Sequence, residues 1–296
     1  MNILDGKEFA KKTRIRIKKY VNSYIEEGRR VPGLAVVIVG NDPASETYVR
    51  SKEKQANKVN FLSRKIEFEE SVSEEKLIET VEKLNNDKEI DGILVQLPLP
   101  SHIDAKKIIG TIKPEKDVDG FHYMNLGKLF GGERGFVSCT PLGIIDMLKY
   151  YGIELSGKNV TVIGRSNIVG KPLIPLFLDE NSTVTVCHSR TKEISLHTKN
   201  ADIIVAAVGR PLFLKEDMVS AGTVIVDVGI NSIDDDSEKG YHLVGDVDFD
   251  KIKDKASWIT PVPGGVGPVT ISTLLKNTLK AYCEIEGIDF KFSYNS

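Results

Sequence analysis

The chain has little that would tie it to a membrane, a nucleic acid, a metal or a disulfide frame. Its longest apolar runs are LAVVIV (34–39) and IIVAAV (203–208), far short of the roughly 18 residues of a membrane span. The first residues, MNILDGKEFAKK, lack the apolar core of a secretory leader, so neither export nor a membrane partner is expected. Three cysteines, Cys139, Cys187 and Cys283, are odd in number, widely spaced and free of any C-x-x-C pair. They are expected to be reduced thiols of a cytoplasmic protein. The five histidines show no ligand spacing, and no metal site is expected. A formal net charge of −2 gives no bulk attraction to nucleic acid. The one basic run, KKTRIRIKK (11–19), falls in a predicted helix with Phe9, Ile17, Tyr20 and Val21 at apolar positions. It reads as a solvated helix face.

Strand and helix signals alternate instead, which predicts an α/β architecture with parallel sheets. In the N-terminal half we read a helix over 6–28, a strand over 33–40, and a helix over 43–60 opened by Asp42 and Pro43. The strand RKIEFE, a helix over 73–86 and the strand DGILVQL (91–97) follow. Residues 111–136 are Gly-rich and predicted irregular, in the manner of a binding loop. In the C-terminal half the strands NVTVIG, STVTVC, DIIVAAVG, TVIVDVG and SWIT alternate with helical segments, as in a doubly wound sheet. A helix over 140–151 links the halves, and a last helix over 269–286 is expected to return to the first domain. The expected organisation is thus two α/β domains with the active-site cleft between them. Residues 1–139, joined by 270–296, form the substrate domain, and residues 140–269 form a Rossmann-like domain.

Each C-terminal strand ends in a small, polar or basic segment: GRSN, HSR, VGRP, VGIN and TPVPGGVGP. Open α/β sheets bind ligands at that end of their strands, and five such ends together predict a ligand crevice. In GRSNIVGKP (164–172), Gly164 supplies a tight turn and Gly170 lets the helix start close to the sheet. Backbone N–H groups there favour a phosphate, and Arg165 and Ser166 add side-chain donors. An NAD site places a carboxylate about 20 residues further on, for the ribose 2′-hydroxyl. This chain has His188, Ser189 and Arg190 instead, which favours NADP. The residues leave open whether Arg165 or Arg190 holds the 2′-phosphate, or whether either is a solvated surface charge.

In the first half, Tyr48 and Lys52 are four residues apart and share a helix face. That spacing also fits an ordinary amphipathic surface contact. Gln96 lies in the nearly continuous apolar run ILVQLPLP, where a polar side chain needs a partner or borders a site. KDVDG then brings Asp117 and Asp119, the second of which also reads as turn chemistry before Gly120. Residue types alone go no further than a Lys/Gln/Asp/Tyr group able to face a cofactor crevice.

The motifs VGNDPASETYVRSK, DGILVQLPLP, KPEKDVDGFH, CTPLGI, GRSNIVGKP, DVGIN and PVPGGVGPVT run through nearly the whole chain. In this order and spacing the chain resembles the bifunctional methylenetetrahydrofolate dehydrogenase/methenyltetrahydrofolate cyclohydrolase family. The resemblance implies NADP-dependent oxidation of 5,10-methylenetetrahydrofolate, hydrolysis to 10-formyltetrahydrofolate, tetrahydrofolate derivatives as partners, and a homodimer. It makes Lys52, Tyr48, Gln96 and Asp119 the catalytic group, with Val95 and Leu97 beside Gln96 at the substrate. It puts Gly164, Arg165, Ser166, Ser189 and Ile230 on the cofactor. It also puts the loop Pro263, Gly264, Gly265, Val266, Gly267 and Pro268 around the folate. The chain departs from the family at Ser138 and Tyr123, where proline is usual, and at Asn60, where glycine is usual; asparagine suits a left-handed cap.

Three rival readings are a related dehydrogenase of another small substrate, a family member without hydrolase activity, and a non-catalytic NADP sensor. Folate-dependent NADP reduction separates the first and last from the main reading, and decay of the methenyl product separates the second. The carboxylate-free loop carries its own prediction. Replacing Arg165 and Arg190 together should raise the NADP dissociation constant far more than that for NAD, measured by titration. Equal losses for both cofactors would contradict the 2′-phosphate argument.

Overall fold

A computed structural model of the chain describes residues 1–133, 135–236 and 240–294. They form two compact units, one built on Lys11–Cys139 with the chain from Ile271 onward, the other on Met1–Ala10 with Thr140–Thr270. In chain order the elements run β1 (Asn2–Ile3), α1 (Gly6–Glu26), β2 (Gly33–Val39), α2 (Pro43–Lys58), β3 (Leu62–Phe68), α3 (Glu74–Asn86), β4 (Gly92–Val95), α4 (Ala105–Thr111), α5 (Tyr123–Phe130) and α6 (Cys139–Tyr150). Then come β5 (Asn159–Ile163), α7 (Gly170–Asp179), β6 (Thr183–Cys187), α8 (Ile194–Thr198), β7 (Ile203–Ala206), β8 (Val224–Asp227), β9 (Asn231–Asp234), β10 (Tyr241–Val244), α9 (Phe249–Ile252), β11 (Trp258–Ile259) and α10 (Val266–Ile285). Among the described residues no helix is long and apolar enough to cross a membrane.

The first unit is organised by β2, the centre of a parallel sheet ordered β3-β2-β4. Side chains alternate across a strand, and both faces of β2 are buried, which requires an uninterrupted apolar run. Leu34, Val36 and Ile38 pack with Ile17, Val21, Val49, Leu275, Leu279 and Tyr282. Ala35, Val37 and Val39 pack on the other side with Leu77, Val81, Ile93, Val95 and Ile108. The helix after β2 starts as its residues demand, with Asp42 capping the Ser45 N–H and Pro43 in the first turn. It ends at Asn60 in the left-handed conformation, φ 63°.

The stretch 111–136, predicted irregular, contains the helix α5 and is held by one buried carboxylate. Asp117 accepts hydrogen bonds from the N–H groups of Gly120 (3.1 Å), Phe121 (3.2 Å) and His122 (2.8 Å), and from Asn125 Nδ2 (2.9 Å). His122 then caps α5 through Nδ1, and Tyr123 occupies the first helical position, where a proline would also fit. Asn277 clamps the same region by donating to the carbonyls of Val118 (2.9 Å) and Val137 (3.0 Å). The turn chemistry offered as one reading of Asp119 therefore belongs to Asp117.

The second unit is a parallel six-stranded sheet ordered β1-β11-β8-β7-β5-β6. Chain order reverses at β5, which has β6 on one side and β7 on the other, so the loops after β5 and β7 flank the topological switch point. Asn2 and Ile3, which the expected organisation puts with the first domain, pair with Trp258 and Ile259 as an edge strand of this sheet. Two residues are too few to leave a periodic signature. The antiparallel ribbon β9–β10 is a further addition to the expected strands.

Removing the Asp117 carboxylate strands several buried donors at once, each worth about 1–3 kcal/mol. Asp117→Ala is expected to lower the unfolding free energy by at least about 3 kcal/mol in denaturant titrations followed by circular dichroism. Asp119→Ala should cost much less.

Candidate active site

In the first unit the catalytic candidates converge. Lys52 lies on α2 between Val49 and Ala56, both fully buried, and is itself only 7% exposed. Its Nζ donates to Gln96 Oε1 at 2.9 Å and lies 5.9 Å from the centre of the half-buried Tyr48 ring. Gln96 follows β4 directly, its N–H bonded to the Val37 carbonyl and its Nε2 donating to the Leu97 carbonyl at 2.7 Å. An ammonium can only donate and a carbonyl can only accept, so these partners force the orientation of the Gln96 amide. The polar residue inside the apolar run thus has both ends satisfied, one of them by Lys52.

Asp119 completes the group through charge. Burial pushes its carboxyl pKa up, while Lys52 pulls it back and Asp117 adds to the rise. Burial lowers the pKa of Lys52, and Asp119 opposes that shift. A buried amine with a lowered pKa and one fixed acceptor is suited to proton transfer. The sequence reading missed a neighbour, the Cys139 thiol, which lies close enough to Asp119 to influence its charge and donates its one S–H to the Val118 carbonyl at 3.3 Å. Burial drives its pKa well above the usual thiol range, so it stays a neutral donor. Nothing local links positions 119 and 139; only the CTPLGI motif hinted at the cysteine. Val95 is 5% exposed and part of the core, whereas Leu97 is half-buried.

In the second unit the candidates sit on separate loops at the strand ends. A Cβ on Gly164 would lie 2.2 Å from the Ala207 carbonyl oxygen, and one on Gly170 2.3 Å from that of Gly164. Both glycines are therefore required by close backbone approach. Ser166 Oγ accepts from the N–H groups of Val169 (3.2 Å) and Gly170 (3.4 Å), so part of the donor set expected to face a phosphate is already used. Its O–H stays available to donate. Arg165, Ser189, Arg190 and Ile230 are exposed, and neither arginine has an ion-pair partner among the described residues. In the loop after β6, residues 188–190 carry no carboxylate and the first acidic side chain is Glu193 at its far end; His188 Nδ1 accepts from the Arg190 N–H at 3.1 Å. Pro263, Gly264 and Gly265 join β11 to α10, but Val266, Gly267 and Pro268 already form the first turn of α10, a shorter loop than expected. No hydrogen bond joins Arg165, Ser189 and Ile230 to one another among the described residues. No group of three or more His, Cys, Asp or Glu side chains there could hold a metal ion.

Two models of one family match the chain, one in each half. Residues 4–119 match the tetrahydrofolate dehydrogenase/cyclohydrolase catalytic domain, and residues 138–286 match the NAD(P)-binding domain of the same family. The chain belongs to the tetrahydrofolate dehydrogenase/cyclohydrolase family. The bifunctional protein FolD of Halothermothrix orenii is 53% identical over 94% of this chain and 97% of its own length. The bifunctional FolD of Campylobacter jejuni, a crystal structure, superposes with a TM-score of 0.92 at 45% identity, covering 96% of this chain and 99% of its own. The Trypanosoma brucei enzyme of this family, complexed with NADP cofactor and an inhibitor, gives 0.91 at 39% identity, over 95% and 97% of the two chains. These relatives span the two-domain α/β fold described above.

The Ser166 hydroxyl does the work of a helix cap for α7, whose own N-cap residue, Val169, makes no side-chain bond. Ser166→Ala is expected to destabilise the cofactor-free protein by about 1 kcal/mol, read as a lower thermal midpoint. An unchanged midpoint would mean that the two N–H groups find water at no cost.

Proposed function

We propose that this chain is a bifunctional one-carbon folate enzyme. It oxidises 5,10-methylenetetrahydrofolate to 5,10-methenyltetrahydrofolate with NADP, then hydrolyses the methenyl compound to 10-formyltetrahydrofolate. The observation that carries this reading is the buried Lys52–Gln96 hydrogen bond at 2.9 Å, set beside Tyr48 and in the field of Asp119. Membership of the family supports both activities. We assign folate binding to the unit built on Lys11–Cys139 and cofactor binding to the unit built on Thr140–Thr270.

NADP suits the second unit on the chemistry of its donors. The backbone at Gly164 and Gly170 is close-packed, His188, Ser189 and Arg190 after β6 include no carboxylate, and Arg165 and Arg190 are exposed. Gly164, Arg165, Ser166, Ser189, Arg190 and Ile230 would hold it. Bound there, the nicotinamide supplies the hydride acceptor. Because the folate nitrogens stabilise the cation left behind, no proton leaves the methylene carbon, and the chain's contribution is orientation. Tyr48 offers a ring face for the folate. Asp119 offers acceptors for the donor edge of the amino-pyrimidinone ring.

Hydrolysis, in contrast, needs a proton carrier. Neutral Lys52 takes a proton from water as its oxygen bonds to the methenyl carbon. It then gives that proton to the ring nitrogen as the carbon–nitrogen bond breaks. The new hydroxyl loses its own proton to solvent and becomes the formyl oxygen, so one proton is released overall. Gln96 binds one N–H of the amine and so fixes where its lone pair points. Burial favours the neutral amine that this role requires. We extend the reading to a homodimer, for which the exposed edge strand β6 is the candidate surface. A cytoplasmic location suits three buried free thiols.

Lys52→Met is expected to abolish methenyl hydrolysis while NADP still binds, measured by decay of methenyl absorbance and by cofactor titration. Hydrolysis by the unsubstituted enzyme should rise with pH as Lys52 loses its proton, and level off below the ordinary lysine range. Full hydrolysis in Lys52→Met would remove this residue from the mechanism.

A further inference from the structure

Beneath the strand ends of the second unit lie two carboxylates that the reaction itself does not use. Asp246 is fully buried and Asp227 is 2% exposed. Asp246 Oδ2 accepts from the N–H groups of Val208 (2.6 Å) and Gly209 (2.9 Å), and its Oδ1 from Arg210 N–H (2.9 Å) and Asn231 Nδ2 (3.0 Å). Three consecutive backbone donors thus fold around one anion, as in a nest. Asp227 holds Asp246 in turn, its Oδ1 accepting from the N–H groups of Asp246 (2.8 Å) and Gly229 (3.0 Å), its Oδ2 from Val247 N–H (3.0 Å). Its own N–H donates to Thr260 Oγ1 at 2.7 Å.

The pair also explains two glycines. A Cβ on Gly229 would lie 2.3 Å from Asp246 Oδ1, and one on Gly245 1.7 Å from Asp227 Oδ2. The carboxylates fill the space that side chains would need. Their bonds run mainly to loops, and those loops follow β7, beside the switch point, and β8, next to it. One of them presents Ile230, 49% exposed on its outer side. Desolvation lifts Asp227 to about 7 in spite of its backbone donors.

We propose that Asp246, seated on Asp227, is the positioning residue for cofactor binding, acting through the Val208–Arg210 turn and, by way of Asn231, through Ile230. This inference rests on NADP as the cofactor. The two oxygens of Asp246 serve four donors, so an amide in their place loses one acceptor and sets an NH2 against N–H groups.

Asp246→Asn is therefore expected to raise the NADP dissociation constant, measured without folate, by about tenfold or more. The KM for NADP should rise in parallel, with kcat for oxidation changed less than about threefold. Methenyl hydrolysis, which uses no cofactor, should stay within about twofold. Asn231→Ala removes one half-buried donor to Asp246 and should raise the NADP constant by about two- to fivefold; this variant decides the matter if Asp246→Asn fails to fold. Unchanged NADP affinity overturns the proposal, as does a fall in hydrolysis that matches the fall in cofactor binding. Absence of folate turnover in the unsubstituted protein would sink the functional reading instead, and the cofactor titrations would still test the positioning role.

Discussion

A parallel sheet leaves a debt at the ends of its strands: the connecting loops carry backbone N–H groups that no neighbouring strand can reach. Leaving such groups buried and unpaired costs about 1–3 kcal/mol each. This chain meets the constraint with aspartates placed under the loops. Asp117 gathers three N–H groups of the segment after β4, Asp246 gathers three after β7, and Asp227 gathers three more around the end of β8. Each is at most 2% exposed. The loops are irregular in shape yet fixed in position, which is what binding segments on a rigid scaffold require.

The same economy of partners governs Lys52. A charged amine in an apolar layer is unfavourable unless it is paired or loses its proton. Here the acceptor of the Lys52 hydrogen bond, Gln96 Oε1, is neutral, so it locates the amine without forcing the charged form, and Asp119 supplies an opposing pull through the field alone. Cys139, held neutral by burial, adds no second charge beside Asp119 and gives its S–H to the Val118 carbonyl. The result is an amine whose charge state is balanced between burial and a nearby carboxyl.

Much of this was legible in the residues. Asp42 with Pro43 announced the start of α2, Asn60 its left-handed end, and the apolar run of β2 a strand buried on both faces. Gly164 and Gly170 could be read because close backbone approach tolerates nothing larger. Gln96 stood out because an amide in an apolar run needs a partner. The illegible features have a common physical cause: they depend on pairings between residues distant in the chain. Asp117 and Asp119 look alike in KDVDG, and only their surroundings decide that the first holds the turn while the second faces Lys52. Cys139 gives no local sign of its neighbour, and the Asp227–Asp246 pair is separated by the whole β9–β10 ribbon. The first turn of α10 is disguised by Gly267 and Pro268, and α5 by the glycines around it.

The pairing of residue 2 with residue 258 and of residue 3 with residue 259 has a consequence in time. A ribosome delivers β1 first, and its partner β11 only after almost all of the chain that follows. During synthesis the six-stranded sheet can grow outward from β5 but cannot gain its last edge until the end, so β1 must wait unpaired. Such a long-range closure is slow to form, and it makes the exposed flank of β11 the part of the nascent chain most open to the wrong strand.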